Sequence, residues 1–456
     1  MEPLTYARAR CEEHLRELKT FLSIPSVSTQ PQHEPDMQRA AVWLRDQLSA
    51  AGFPRAEIMP TGGHPIVFAE WMAAGKAAPT VLVYGHYDVQ PPDPVDEWET
   101  PPFEPTVLGD DIFCRGASDD KGQLYVHVKA VEAFTKTVGA PPVNVKCIFE
   151  GEEEIGSVHL APFIAGHREE LAADVVVISD SHILGEQIPA IVYAVRGLAY
   201  LEVEVTGPDH DLHSGLYGGA VHNPVNALCA MLASLQDEHG RITIPGFYDA
   251  VRPLSPDERE ELARVPFDRE TWQAEAGVTH AWGDPEYTIV ERTTARPTFD
   301  VNGIWGGYIE PGAKTVLPSK ALAKISMRLV PDQKPEEIRH LVTEHLQAIA
   351  PPTVTVEVRG LHGGEGAIFK RDSPHMAAAA RAYEAGFGVE PVFRREGGSI
   401  TVTATFQKEL GIDTILMGFG LPDDNLHAPN EKLHLPNYYR GIETIIHFLD
   451  ILKETG

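Results

Sequence analysis

Residues 80–91 read TVLVYGHYDVQP, an apolar, β-branched run that gives way to His86 and Asp88. Such a run predicts a short strand. Side chains two apart on a strand face the same way, so the imidazole and the carboxylate project together near the strand end. That pair suits a metal-binding histidine whose tautomer a carboxylate holds. It is equally the composition of an undistinguished surface turn, and the flanking sequence has to decide.

Similar short runs lie on either side: PIVFAEW (65–71), VNVKCIF (143–149) and DVVVIS (174–179). Between them, TYARARCEEHLRELKTFL (5–22), DMQRAAVWLRDQLSAAG (36–52) and GQLYVHVKAVEAFTKT (122–137) carry apolar residues at helical spacing. Strands alternating with helices predict an α/β fold with a mostly parallel sheet covered on both faces. In such sheets ligands gather at the carboxyl ends of the strands. From Arg196 the pattern changes. LAYLEVEVTG (198–207) alternates as a half-exposed strand, NPVNALCAMLASLQD (223–237) is helical, and TFDVNGIWGG (298–307) and KALAKISMRLV (320–330) are strands. PEEIRHLVTEHLQAIA (335–350) is a helix and TVTVEVRG (353–360) a strand. The β-α-β-β-α-β order predicts a ferredoxin-like α+β domain. We therefore expect a first catalytic segment at 1–195, an inserted lid or dimerisation domain at 196–360, and a second catalytic segment at 361–456.

The chain has 456 residues, enough for such an arrangement, and its formal charge of −28 argues against nucleic acid or an anionic membrane as partner. Four cysteines without CxxC spacing argue against a disulfide framework or a thiolate zinc site. The charged, helical N-terminal stretch has no apolar signal core, and no apolar run reaches spanning length. The expected location is the cytoplasm.

Four further acidic motifs stand beside the opening one. FCRGASDDKGQL (113–124) precedes a helix, so Asp119 and Asp120 serve either as caps or as a ligand and its neighbour. CIFEGEEEIGS (147–157) packs Glu150, Glu152, Glu153 and Glu154 into one strand exit, either as a solvated acidic loop or around a cation. VVVISDSH (175–182) ends in Asp180. GFGLPDDNLHAPNEKLHL (418–435) holds Asp423, Asp424, His427, Asn430 and Glu431. Each lies just beyond a predicted strand or in an adjoining loop. One sheet edge can gather them, and two histidines with several carboxylates suit a pair of divalent cations, Zn²⁺, Mn²⁺ or Co²⁺.

Together with GASDDKGQ, EGEEEIGS, ISDSHILG, VRGLAYLEVEV, DLHSGLYGG, GAKTVLP and REGGSITVT, these motifs resemble the cytosolic non-specific dipeptidase and carnosinase branch of the aminoacylase-like dinuclear metallopeptidases. The resemblance runs over nearly the whole chain. It implies that His86, Asp119 and Asp180 hold one metal ion and that Asp119, Glu154 and His427 hold a second, with Asp119 bridging. It implies Asp88 as the carboxylate behind His86, and Glu153 as general base toward a water shared by the two ions. It also implies a cis peptide between Asp119 and Asp120. His213 would stabilise the oxyanion, reaching a partner subunit's site in a homodimer. Arg328 would clamp the terminal carboxylate of a dipeptide, with Thr315, Glu396 and Ser399 as further substrate contacts.

An aminoacylase, an N-acyl amino acid deacylase or a carboxypeptidase would share the metal motifs. The long segment from GRITIPGFYDAVRPLSPDEREEL (240–262) to TTARPTFDVNGIWGGYIEPGAKTVLP (293–318) resembles the dipeptidase branch instead. A non-enzymatic scaffold would have lost a ligand or the base, and none is missing. His64, His159, His167 and His280 match no ligand motif.

Overall fold

The computed structural model describes residues 1–398 and 400–455, so Ser399 lies outside the described residues. The chain divides into two compact units, one comprising Met1–Tyr193, Phe369–Arg394 and Thr405–Gly456, the other Ala194–Ile368 and Arg395–Ala404.

The first unit is built on a mixed sheet. Its strands are β1 (Arg55–Met59), β2 (Ile66–Trp71), β3 (Thr80–His86), β4 (Asn144–Glu150), β5 (Val175–Ile178), β6 (Ala190–Val195) and β7 (Thr414–Leu416), in the spatial order β1-β2-β4-β3-β5-β7-β6. The four central strands β4, β3, β5 and β7 run parallel, and antiparallel strands flank them. Every residue of β4 and β5 is buried, as the continuous apolar runs require of strands covered on both faces. Register aligns their carboxyl ends. His86 pairs with Glu150, Tyr84 with Ile178 and Leu416 with Ile178, so the exits of all four central strands open at one edge.

The longest helices of this unit are α1 (Cys11–Leu22), which a break at Arg10 separates from the short helix Pro3–Ala9, α2 (Glu34–Ala50), α3 (Lys121–Thr137), α4 (Pro374–Phe387) and α5 (Leu435–Leu452). The crossover from β3 through α3 to β4 starts α3 over the carboxyl edge, because the helix must run back to the opposite edge before β4 begins. The first fourteen residues of α3 are all buried. Gly85 makes that approach possible, since a Cβ there would lie 2.6 Å from Asp120 Oδ2 and 2.8 Å from Leu124 Cβ. Lys121, fully buried, donates from Nζ to the carbonyls of Phe21 (3.4 Å) and Ile24 (2.6 Å) and lies 5.1 Å from the Phe21 ring centroid. These hydrogen bonds to carbonyls at the end of α1 tie it to the start of α3. The small sheet formed by Thr106–Leu108, Asp111–Phe113 and Lys432–His434 was not evident in the sequence, because strands of three residues show no period.

The second unit is a four-stranded antiparallel sheet. Its strands, in spatial order, are Asp300–Gly306, Lys320–Leu329, Gly197–Thr206 and Thr355–Gly364. With helices Pro224–Ala233 and Pro335–Ile349 these strands follow the order β-α-β-β-α-β, with the short helices Pro256–Leu262, Arg269–Glu275 and Ile289–Thr294 added before strand Asp300–Gly306. Strand Gly197–Thr206 alternates buried and half-buried residues throughout. Its buried side, with Leu201, Val203 and Val205, packs with Leu228, Met231, Ile325, Met327, Val342 and Leu346 into the core of this unit. Among the described residues no helix is long and apolar enough to cross a membrane.

Candidate metal centre

At the carboxyl edge of the first unit, two groups of ligating side chains share one member. His86, Asp119 and Asp180 form one, and Asp119, Glu154 and His427 the other; in each, the ligand atoms lie within 4.8 Å of one another. Asp119 Oδ1 is 3.0 Å from His86 Nε2, while its Oδ2 is 2.9 Å from His427 Nε2. Asp180 Oδ2 is 3.7 Å from His86 Nε2, and Glu154 Oε2 is 3.3 Å from His427 Nε2. One carboxylate therefore turns its two oxygens to two different imidazoles, each with a second carboxylate beside it.

Backbone and neighbours hold these side chains. His86, the last residue of β3, is wholly buried, and its Nδ1 lies 3.1 Å from the Asp88 carbonyl oxygen and 3.5 Å from Asp88 Oδ1. A proton on Nδ1 leaves Nε2 as the lone-pair atom facing Asp119 and Asp180. The Asp88 carboxylate accepts hydrogen bonds from Ser28 Oγ (2.7 Å), Glu153 N–H (3.3 Å) and Glu154 N–H (3.1 Å). It thereby sews the β3 exit to the glutamate run. Glu154 Oε2 accepts from Gln90 Nε2 at 2.8 Å. The Asp119–Asp120 peptide is cis. Asp120 occupies the N-cap position of α3 without a side-chain cap; its Oδ2 accepts instead from the His86 backbone N–H at 3.2 Å. His427 sits in the left-handed region (φ 59°), as do Asn425 (55°) and Asn430 (62°). That region is uncommon for residues other than glycine, and histidine and asparagine are among those that adopt it most readily. Asn430 anchors the loop, accepting from Glu99 N–H (2.7 Å) and donating to the Glu97 carbonyl (3.0 Å).

The four glutamates have separate surroundings. Glu150 is buried and accepts from Tyr84 Oη and from Ser157 Oγ (2.8 Å); burial pushes its carboxyl up to about 7. Glu152 is buried and accepts from His64 N–H (3.0 Å), with His159 Nδ1 at 2.8 Å from its other oxygen. Glu154 joins the second group. Glu153 belongs to neither group. Burial raises its carboxyl well above the ordinary range, reinforced by Asp180, Asp119 and Glu154 and opposed by His86.

The electrostatics express crowded anions seeking positive charge. Burial and the Asp119 charge push Asp180 up to about 7. Facing Asp119 and Glu154 carries the His427 imidazole up to about 10. Burial opposes ionisation of Asp119, yet His427 and His86 hold it below the carboxylate range.

The remaining predicted site residues belong to the second unit. His213 is exposed and its Nδ1 accepts from the Gly215 N–H at 3.0 Å. Thr315 is exposed, and its carbonyl accepts from Ser214 N–H at 3.0 Å. Arg328 is half-buried on strand Lys320–Leu329, and Glu396 Oε1 accepts from Gly397 N–H at 2.7 Å. Sequence reasoning assigned no role to Gln90, Asp424 or Glu431. Gln90 lies within the quoted HYDVQP and the two acids within GFGLPDDNLHAPNEKLHL, but their partners are distant in sequence.

Residues 82–450 match the peptidase family M20/M25/M40. The chain belongs to this family of peptidases. It is 35% identical over 454 residues to the Cys-Gly metallodipeptidase DUG1 of Candida albicans, covering 94% of this chain and 93% of that protein. It is 34% identical over 457 residues to the human Beta-Ala-His dipeptidase, covering 96% of this chain and 89% of that one. The crystal structure of an M20 family metallo-carboxypeptidase, Sso-CP2 from Sulfolobus solfataricus, superimposes with a TM-score of 0.85 at 34% identity, covering 97% of this chain and 99% of that one.

Proposed function

We propose that this protein is a metal-dependent dipeptidase that works as a cytoplasmic homodimer with two divalent ions per subunit, Zn²⁺ or Mn²⁺. His86, Asp119 and Asp180 would hold one ion, and Asp119, Glu154 and His427 the other. The donor set fits: His86 Nε2 is buried without a hydrogen-bond partner and faces Asp119 and Asp180, and imidazole with carboxylate oxygens is a ligand set that divalent ions take. Such ions polarise the scissile carbonyl and acidify water. The observation that carries the reading is the split use of Asp119, one oxygen to each imidazole.

Glu153 takes the proton of the attacking water and passes it to the leaving amine as the C–N bond breaks. Its place outside both ligand groups and its raised affinity for a proton support that role. His213 stabilises the oxyanion. Because its Nδ1 accepts from Gly215, the ring proton resides on Nε2, ready to donate. Arg328 clamps the substrate carboxylate, with Thr315, Glu396 and Ser399 as further contacts. The compact unit Ala194–Ile368 supports an inserted lid and dimerisation domain at 196–360. Its edge strand Asp300–Gly306 exposes Val301, Ile304 and Trp305, apolar side chains at one sheet edge that a second copy would cover, letting His213 act across subunits. Four free cysteines support a reducing compartment.

Loading the chelated protein with Zn²⁺ or Mn²⁺ tests the reading, with dipeptides, longer peptides and N-acetyl amino acids offered in parallel. Dipeptides are expected to turn over fastest. The resemblance to Sso-CP2 favours a carboxypeptidase as second reading, and preferential trimming of longer peptides would establish that instead. Glu153→Gln should keep both ions and lose roughly 10²–10⁴-fold in kcat.

A further inference from the structure

We propose that Glu431 is the positioning residue of the metal centre, a buried carboxylate that shapes residues 115–119 and so aims the two oxygens of Asp119. This rests on Asp119 being the shared ligand. Glu431 has no solvent exposure. Its Oε1 accepts from the backbone N–H groups of Ser118 (3.0 Å) and Asp119 (3.1 Å), and its Oε2 from Gly116 N–H (2.9 Å) and Arg115 Nη1 (2.7 Å). Backbone donors converging on one anion form a nest, here filled by the chain's own acid. Gly116 permits the turn: its φ is +83°, and a Cβ there would lie 2.5 Å from Val89 Cγ1.

The same loop supplies His427. Arg115 Nη2 donates to the carbonyls of Ala428 (3.1 Å) and Pro91 (3.3 Å), and Asp424 Oδ2 accepts from Ser118 Oγ (2.7 Å) and Leu421 N–H (2.8 Å). On either side of His427, at Asp424 and at Glu431, the loop therefore grips the segment that carries Asp119. The spacing between His427 and Asp119 follows from that double grip. Every group in the grip is a protein donor or acceptor, so its formation requires no ion.

Glutamine could not replace the carboxylate. It offers one acceptor oxygen, and its NH₂ would face either two N–H groups or a guanidinium, leaving buried donors unpaired. The test titrates Mn²⁺ into the chelated full-length protein by calorimetry and follows amide hydrogen exchange of peptides covering 115–119. Wild type should bind two ions, with the 116, 118 and 119 amides protected in the metal-free state. Glu431→Gln should retain its far-ultraviolet circular dichroism and lose that protection. It should bind ions roughly 10- to 100-fold more weakly and, at saturating Mn²⁺, keep its dipeptide KM. Wild-type ion affinity in the variant would overturn the proposal. So would amides in metal-free wild type that become protected only when Mn²⁺ is added, an outcome that decides even if the variant does not fold. Wild type binding fewer than two ions would instead defeat the dinuclear reading, while the exchange measurement still judges Glu431.

Discussion

Glu153 and Glu154 are adjacent in sequence and occupy opposite roles in the geometry. Glu154 has Gln90 on one oxygen and His427 beside it, whereas Glu153 stands outside both ligand groups. Their backbone N–H groups share one acceptor, Asp88, so the turn that separates the side chains is itself fixed. The family resemblance implies different roles for the two residues, and the turn shows how adjacent side chains come to have different surroundings. At this scale the sequence was also informative about His86, Asp119, Asp180 and His427: strand-exit and loop positions made them candidates, and the family resemblance implied them as ligands. Glu150 and Glu152 were not legible. Their partners, Tyr84 and Ser157 for one, His64 and His159 for the other, include residues on a different strand or loop. We expect His213→Ala to retain both ions and to lose roughly 10²–10³-fold in kcat, read from metal analysis alongside steady-state kinetics.

Among the elements, α1 carries an unusual burden. His14 is buried with neither ring nitrogen hydrogen-bonded, close to Lys129, which pairs with Glu17 (2.6 Å) and Glu132 (2.5 Å). Burial, aided by Lys129 and Arg10 against Glu132 and Glu17, pushes the His14 pKa down to about 4. A histidine whose folded pKa lies below its unfolded value of 6.5 binds its proton more readily when unfolded. Its neutral state is therefore no burden above pH ~6.5, and stability is lost as pH falls toward ~4, by about 3 kcal/mol at most. Denaturant unfolding of metal-free wild type and His14→Leu between pH 7.5 and 4.5 should show the shallower decline in the variant; parallel declines would remove His14 from the account. The helical period of α1 was plain in the sequence, but this cost was not, because Lys129 lies on α3 and meets His14 only after packing. The strands tell the same story: β3, β4 and β5 were readable from their β-branched runs, while their shared exit edge is a matter of register.

For the whole molecule, the crowding of carboxylates at one sheet edge predicts a strong dependence on bound cations. Ion binding to the folded state alone stabilises it by about 2.7 kcal/mol per site at a hundredfold excess over Kd. Chelation should therefore lower the melting temperature reversibly, and Zn²⁺ or Mn²⁺ should restore it; a melt indifferent to chelator would count against both ion sites. The exposed apolar edge of the second unit predicts self-association. Trp305→Asp should shift the protein toward monomer in light scattering and, with His213 acting across subunits, reduce turnover without loss of metal.

What the sequence determined by itself is local. Periodicity placed most helices and strands, the β-α-β-β-α-β order distinguished the middle of the chain from its flanks, and strand-exit acids and histidines supplied the candidates from which the family resemblance picked out the ligands. These follow from forces acting within a few residues: alternation, helical spacing and turn chemistry. Tertiary structure alone decided which oxygen of Asp119 meets which imidazole, which neighbours Glu150 and Glu152 take, and that Glu431 fills the nest beneath Asp119. Those outcomes depend on sub-ångström to few-ångström distances between segments as far apart as residues 115–119 and 424–431. Only sheet register and buried hydrogen bonds set such distances, and neither leaves a local mark in the chain.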